Sequence, residues 1–278
     1  MGFLNDKKRE DEVRNAISVL RLLDDVLATA ALNENLKATQ EILSVITKTP
    51  KLTVIYAETQ KTVTNLKGRS ARFDLVAIDS KRNVYNLEIQ RATSGGSAKR
   101  ARYNSSLMDT QMLDPGEPQT KLKKSVMIFF MEKDFFGEGL PIYHVERKVR
   151  ETGKPFSDGS VIIYVNGEYK NDKTKIGRLI HDFRQTNPND MFSEVLADAV
   201  RKCKYDEEGV RKIMGIMEEF EAKAFKEGKK EGKKEGMQEE KTATLIRMLD
   251  AEVEMQMMVK ILGVSEKTIK KMIKELNR

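Results

Sequence analysis

Residues Ala71–Ala92 read ARFDLVAIDSKRNVYNLEIQRA, and the placing of acids in this stretch decides the fold. Phe73, Leu75, Val76 and Ile78 form one strand-like run, and Val84, Tyr85, Leu87 and Ile89 form a second. Between them Asp79–Asn83 (DSKRN) is a polar turn cluster, so a β-hairpin is expected. Asp74 interrupts the first run, and Glu88 and Gln90 interrupt the second. Burying a carboxylate without a partner is costly. Two of them in adjacent strands therefore point to a shared divalent cation. A loop of three to five residues sets Asp74 opposite Glu88, Ile89 or Gln90. The three-residue loop sets it directly across from Glu88, on the face that Glu88 shares with Gln90. Opposed Cβ atoms lie about 4.5–5.5 Å apart, close enough for two carboxylates to share one hard cation. The competing reading pairs Asp74 and Glu88 with Arg69, Arg72 or Arg91 on a solvated edge.

Working outward, residues 1 to about 48 read as helical, broken near Asn33–Asn35 and ended by Pro50. Ile17, Leu20, Leu23 and Leu27 recur at helical spacing, as do Leu36, Ile42, Leu43 and Ile46. KLTVIYAETQ (51–60) reads as a strand. TSGGSAKRARYNSSLMDTQML (93–113) is expected to be a flexible loop entering a helix that Pro115 and Pro118 stop. KSVMIFFM (124–131) has the length and apolarity of a buried strand. LPIYHVERKV (140–149) and SVIIYVNG (160–167) add strands, and helices are expected near 173–185 and 189–203. Strands flanked by helices in this order suit an α/β mixed sheet with helices on both sides and the acidic hairpin at its centre.

Composition sets outer bounds. The 278 residues carry 50 Lys+Arg against 43 Asp+Glu, a net charge of +7 that suits a polyanionic partner without identifying one. No apolar run approaches the length of a membrane span, and the first fifteen residues lack the apolar segment of a signal peptide. A cytoplasmic protein is expected. The single Cys203 allows no internal disulfide and no Cys-rich zinc site. His144 and His181 lack ligand-like spacing and read as structural.

The pattern D…E-x-Q on successive strands resembles the active-site signature of the PD-(D/E)XK nuclease superfamily. AKRARYNSSLMDTQML, GLPIYHVER and the repeated KEG of the tail resemble one branch, the recombination-promoting nuclease/transposase family. The resemblance runs from about Leu22 to the C-terminus. It implies a restriction-endonuclease-like core. It also implies that Asp74 and Glu88 bind Mg²⁺ (or Mn²⁺), with the Ile89 backbone carbonyl as a third ligand and Gln90 orienting the attacking water. A neutral amide can hold that water by hydrogen bonds. Unlike Lys, it brings no positive charge, which leaves charge neutralisation to the metal. The family's first helix usually adds a Glu. In ALNENLKATQEILSVIT, Lys37 stands near that place, with Glu34 and Glu41 three residues before and four after it on the same face. Either could supply the missing acid.

Lys99, Arg100 and Arg102 open the helix after the Gly-Gly pair and could reach DNA phosphates. Tyr103 could stack on a base or simply pack. Beyond Asp206 the text becomes charged and coreless. Gly228, Gly232 and Gly236 recur every fourth residue, at a helix cost of roughly 1 kcal/mol each, and Glu231 with Lys234 returns little of it. A marginal helical linker is expected. Ser265 can cap a last helix with an apolar stripe of Ile269, Met272, Ile273 and Leu276. Lys267, Lys270, Lys271 and Lys274 cover its other side as candidate DNA contacts. This resembles a helix-turn-helix unit, or equally a packing or oligomerisation appendage. The expected organisation is a nuclease-like domain over 1–205, a linker over 206–240 and a helical tail over 241–278. Two functional readings follow: a Mg²⁺-dependent DNA endonuclease linked to recombination or transposition, or a decayed nuclease fold serving as a DNA-binding or protein-interaction module. Self-association is left open.

Overall fold

The computed structural model describes residues 11–65 and 68–276, apart from the side chains of residues 227, 231, 234, 235 and 238. The expected Glu231–Lys234 support and the first ten residues lie outside the described residues. The chain divides into two compact units, Met1–Met217 and Glu218–Arg278.

In the first unit a helical segment over residues 11–18 (α1) is followed by α2 (Asp25–Leu32) and α3 (Leu36–Ile46). The expected break falls between these last two. Asn35 caps α3, its side chain accepting from the Ala38 N–H. Six strands then form one sheet: β1 (Val54–Val63), β2 (Ala71–Asp79), β3 (Val84–Gln90), β4 (Ser125–Met131), β5 (Ile142–Val145) and β6 (Ser160–Asn166). Their order is β1-β2-β3-β4-β6-β5. β3, β4 and β6 run parallel, and the other neighbours are antiparallel. Every residue of β4 is buried, as its uninterrupted apolar text requires of a strand covered on both faces.

Helices cover the two faces. α2, α3, α5 (Lys175–Arg184) and α6 (Glu194–Tyr205) pack on the face that carries Leu75, Leu87, Ile128 and Ile163. α4 (Ala98–Asp109) packs on the other, against Phe73, Val76, Met127 and Phe129. The start of α7 (Glu207–Asp250) contributes Ile213, fully buried in the first core. The α/β mixed sheet flanked by helices is thus as the pattern required. Burial pushes the Cys203 thiol up to about 11, which leaves it an inert core residue. His181 bonds to Asp182 and Gln185 and packs on Phe192.

One expectation changes. Thr93–Gly96 is a turn of 3₁₀ helix packed onto the sheet, not a loose hinge. A Cβ on Gly95 would lie 1.9 Å from the Gln90 Oε1 atom, and one on Gly96 would lie 2.8 Å from the Met131 side chain. Close approach, rather than backbone freedom, selects the two glycines. The linker, expected to be helical, lies within α7, one unbroken helix of 44 residues. Lys, Glu, Ala and Met supply enough helix propensity to carry three glycines.

The second unit has its own core of Leu245, Met248, Met258, Leu262, Ile269 and Met272. It joins the end of α7 to α8 (Met255–Leu262) and α9 (Glu266–Glu275). Gly263, at φ 61°, ends α8 in the left-handed conformation. Ser265 caps α9 as expected, accepting from the Thr268 N–H. The four α9 lysines are exposed. Lys270 pairs with Glu266 and Lys271 with Glu275.

Candidate active site

The hairpin turn fixes everything downstream of it. One Asp79 oxygen accepts from the Lys81 and Asn83 backbone N–H groups, and the other accepts from Asn83 Nδ2 and the Tyr85 hydroxyl. Asp79 N–H also bonds to the Asn83 carbonyl, which leaves a three-residue loop with Arg82 left-handed at φ 66°. The register follows: Ile78 faces Val84 and Leu75 faces Leu87. One step further would set Asp74 against Glu88, as the three-residue loop requires.

The β2–β3 ladder stops at that step. β2 continues along β1 as far as Ala71, while β3 continues along β4 as far as Gln90. The two strands part where the acids stand. The Ile89 N–H, released from the ladder, donates to Asp74 Oδ2 at 3.0 Å. Glu88 is fully buried. It accepts from Asn86 Nδ2 at 2.9 Å through one oxygen and from Arg100 Nη2 at 2.9 Å through the other. Arg100 also donates to Gln90 Oε1 at 3.4 Å. Asp74, Glu88, Gln90 and Arg100 therefore meet at one place. Arg100 was expected on a phosphate; here it spans the acid and the amide. Lys99 and Arg102 are exposed on the same helix. Tyr103 ties α4 to the β1–β2 connection through Asn65 and the Arg69 carbonyl.

The solvated-edge alternative does not describe these acids. Arg91 pairs with Asp24 and Glu132 instead. Burial raises the pKa of Asp74, and the Glu88 carboxylate raises it further, against the Ile89 N–H and Arg100. Glu88 is likewise raised by burial, opposed by Asn86, Arg100 and the Asp74 amide. A pair that resists its own charge in this way suits a compensating cation.

The helix acid is not where the sequence reading looked for it. Glu34 is exposed at the α2–α3 junction, and Glu41 lines a separate groove with Lys175, Arg178 and Asp182. Lys37 is exposed too. The acid beside Asp74 is Asp25, in the first turn of α2, one helix earlier. Asp25, Thr29, Gln60 and Asp74 line a cavity of about 10 Å³, near the room one water needs. Asp25 adds to the upward shift of Asp74, and its own carboxyl is raised by burial. A sequence signal was present: Asp24 and Asp25 are the only acids in Ile17–Leu32. Asp24 anchors the start of α2 through Arg21 and Arg91, which also hold Glu132 next to Gln90.

Gln60 had no sequence signal. It sits inside β1 at φ 56°, and the ladder passes over it between Thr59↔Leu75 and Lys61↔Phe73. Its Nε2 donates to Thr29 Oγ1 at 3.2 Å, while its buried Oε1 has no partner among the described residues. Asn86 Oδ1 is orphaned in the same way. Among the described residues no three His, Cys, Asp or Glu side chains stand close enough to form a ready metal cage. The acid pair and the two unpartnered amide oxygens are nonetheless the hard donors that Mg²⁺ or Mn²⁺ takes.

The raised carboxyls set a pH dependence. A carboxyl raised above its ordinary value near 4 binds its proton more tightly in the folded protein. Its stability contribution is complete below the ordinary carboxylate range and lost as pH rises through the folded pKa. We expect the melting temperature of EDTA-treated protein to carry a falling component above the ordinary carboxylate range, and Asp74→Asn to flatten it. An identical pH profile in the variant would contradict the arrangement.

A six-strand mixed sheet with helices on both faces is the architecture of the restriction-endonuclease-like fold. Residues 29–182, just over half of the chain, match the family model described as PD-(D/E)XK nuclease family transposase, and the chain belongs to that family. No curated protein and no solved structure matches the chain in the corresponding comparisons. Nucleases of this superfamily typically use divalent metals. No helix among the described residues is long and apolar enough to cross a membrane.

Proposed function

We propose that this protein is a metal-dependent endodeoxyribonuclease that hydrolyses DNA phosphodiester bonds in recombination or transposition. The observation that carries this reading is the Asp74–Glu88 pair at the parting of β2 and β3, Glu88 buried and Asp74 half-buried, with Gln90 two residues on. Asp74 and Glu88 would hold Mg²⁺ or Mn²⁺, helped by the Ile89 carbonyl and by Asp25 in the place assigned to Glu41 or Glu34. The bound ion supplies Lewis acidity and a nucleophilic water at neutral pH. Gln90 orients that water, and Arg100 holds Gln90 and Glu88 in place. Lys99 and Arg102 supply phosphate contacts. Incubating supercoiled plasmid with the protein in Mg²⁺, Mn²⁺ or EDTA tests the reading. Metal-dependent nicking is expected, and DNA left intact under all three conditions would refute it.

One observation favours a second reading, a nuclease fold that binds DNA without cutting it. Arg100 already neutralises part of the Glu88 charge. DNA binding that is insensitive to EDTA, without cleavage, would select it.

We assign the α9 lysines, Lys267, Lys270, Lys271 and Lys274, to DNA engagement. Removal of the second unit should be made after Met217. A cut after Arg211 would remove Ile213, Met214, Ile216 and Met217 from the first core. The shortened protein is expected to keep its metal affinity, bind duplex DNA more weakly and lose about 0.9 of salt slope per phosphate contact removed. If the tail mediates assembly instead, light scattering will show a changed mass. Unchanged affinity, slope and mass would refute both roles.

A further inference from the structure

The sheet register lines up one row of side chains. Glu88 is in register with Phe129, Phe129 with Tyr164, and Tyr164 with Tyr143. Partners in register share a face, so this row runs from the buried acid into an aromatic cluster beneath α4. From β3 to β6 is two strand spacings, about 10 Å. At an axial rise of about 3.4 Å per base, that is roughly three steps along a DNA strand.

At the far end of the row lies a cleft of about 320 Å³. Tyr164 forms its floor, and its hydroxyl donates to the Gly96 carbonyl at 2.7 Å, tying the cleft to the turn that packs on Gln90. Phe135 stacks on Tyr164 with ring centres 4.9 Å apart. Phe136 meets Tyr164 edge-on at 5.2 Å and remains 42% exposed. Its exposure is built in rather than incidental. Asp134 accepts from the Phe136 and Gly139 backbone N–H groups and from the Tyr143 hydroxyl, closing a tight loop. Gly137 and Gly139 turn that loop at φ 73° and 71°. The loop is held so that an aromatic face meets solvent beside the catalytic row.

Polar groups frame the rings. Arg102, which makes no ion pair among the described residues, and Arg147 line the cleft. Among the described residues Glu146 is the only acid lining it, and Arg147 is paired with Asp158, which leaves Arg102 as the cation for a phosphate. At its base the Ser105 and Ser160 hydroxyls lie 3.2 Å apart, each able to donate or accept. An exposed ring for a π-face and a guanidinium for phosphate are the elements of single-strand recognition, and the hydroxyls can meet a base edge.

We propose that this cleft takes an unstacked nucleobase of the DNA strand near the scissile phosphate, so that the enzyme engages single-stranded or distorted DNA in preference to intact duplex. This rests on the DNA-acting reading above and adds a substrate class to it. The base stacks on the exposed ring of Phe136, which the buried Phe129–Tyr164–Phe135 stack supports from below, while Arg102 contacts its phosphate.

The chain has no tryptophan, so Phe136→Trp installs a single emitter in the cleft. In EDTA, a 12-nucleotide mixed-sequence single strand is titrated into this variant, with the blunt duplex of the same sequence as comparison. Fluorescence anisotropy of the labelled strand is followed for wild type and Phe136→Ala. The expected result is quenching by the single strand and not by the duplex. A loss of affinity of about 5- to 150-fold is expected in Phe136→Ala, the range for one stacked base, with circular dichroism unchanged. Equal affinity in wild type and Phe136→Ala, or quenching by both DNAs alike, overturns the proposal. So does a change of mass in Phe136→Ala with DNA binding unaltered, which would assign the cleft to a second copy of the chain. Phe136-dependent single-strand binding by a protein that cuts nothing in Mg²⁺ or Mn²⁺ supports the cleft and removes the nuclease reading. Cleaving protein with an indifferent Phe136→Ala does the reverse.

Discussion

Glu88→Ala and Asp74→Ala are each expected to lower metal-dependent cleavage by on the order of 10³-fold or more, beyond what a single catalytic hydrogen-bond donor contributes. The size follows from the pair's position. The two carboxylates are the acids that face each other at the strand parting, with Arg100 on Glu88, and burial raises the pKa of each. With one removed, a single buried acid faces the ion, its affinity falls, and the phosphate's developing charge goes unneutralised. The fold should survive. Glu88→Ala leaves Asn86 Nδ2 only the weak Met127 Sδ acceptor at 3.3 Å, at about 1–3 kcal/mol, while relieving the desolvation of a buried charge. Glu88→Gln keeps the shape and should be as inactive. Plasmid nicking beside thermal melts separates the two effects. Full activity in either alanine variant removes the pair from the chemistry.

The second large effect is on stability. Lys204, in α6, is buried at 4% exposure. Its ammonium donates to the carbonyls of Ser18 at 2.8 Å and Leu20 at 2.6 Å, and to that of Thr186. Burial pulls its pKa down to about 8, with Asp24 opposing. At neutral pH it therefore remains mainly the ammonium, with each N–H on a carbonyl. Those bonds tie the end of α1 and the α5–α6 connection to α6, and so hold the segment that leads into α2 and Asp25. Lys204→Met fills the space but leaves three carbonyls without that donor. We expect a loss of about 3–5 kcal/mol and a fall in melting temperature on the order of 10 °C for a unit of this size. A shift below about 2 °C would show that solvent replaces the ammonium without cost.

The hairpin was legible because its determinants are local. Asp79 and Asn83 close the turn between two apolar runs, and a three-residue loop leaves one register for Asp74 and Glu88. β4 was legible from composition alone, seven apolar or small residues with no alternation. Asp25 was not, because facing Asp74 depends on how α2 crosses the sheet, and an acid at a helix start reads equally as a dipole partner. The same holds for Arg100, whose twelve-residue separation from Glu88 carries no periodic signal. Gln60 is the extreme case: a left-handed residue inside a strand follows from strand packing and not from its neighbours in sequence. The glycines at 95 and 96 misled for a related reason, since glycine signals freedom and close approach with the same letter.

Calorimetric titration of Mn²⁺ into the metal-free protein tests the central claim most directly, because it reads the ion site without DNA or turnover. The account predicts one binding event that Asp74→Asn and Glu88→Gln each abolish, that Asp25→Asn weakens about 10- to 100-fold, as loss of a supporting partner does, and that Glu34→Gln and Glu41→Gln leave unchanged. Undiminished Mn²⁺ binding in Asp74→Asn and Glu88→Gln would contradict it.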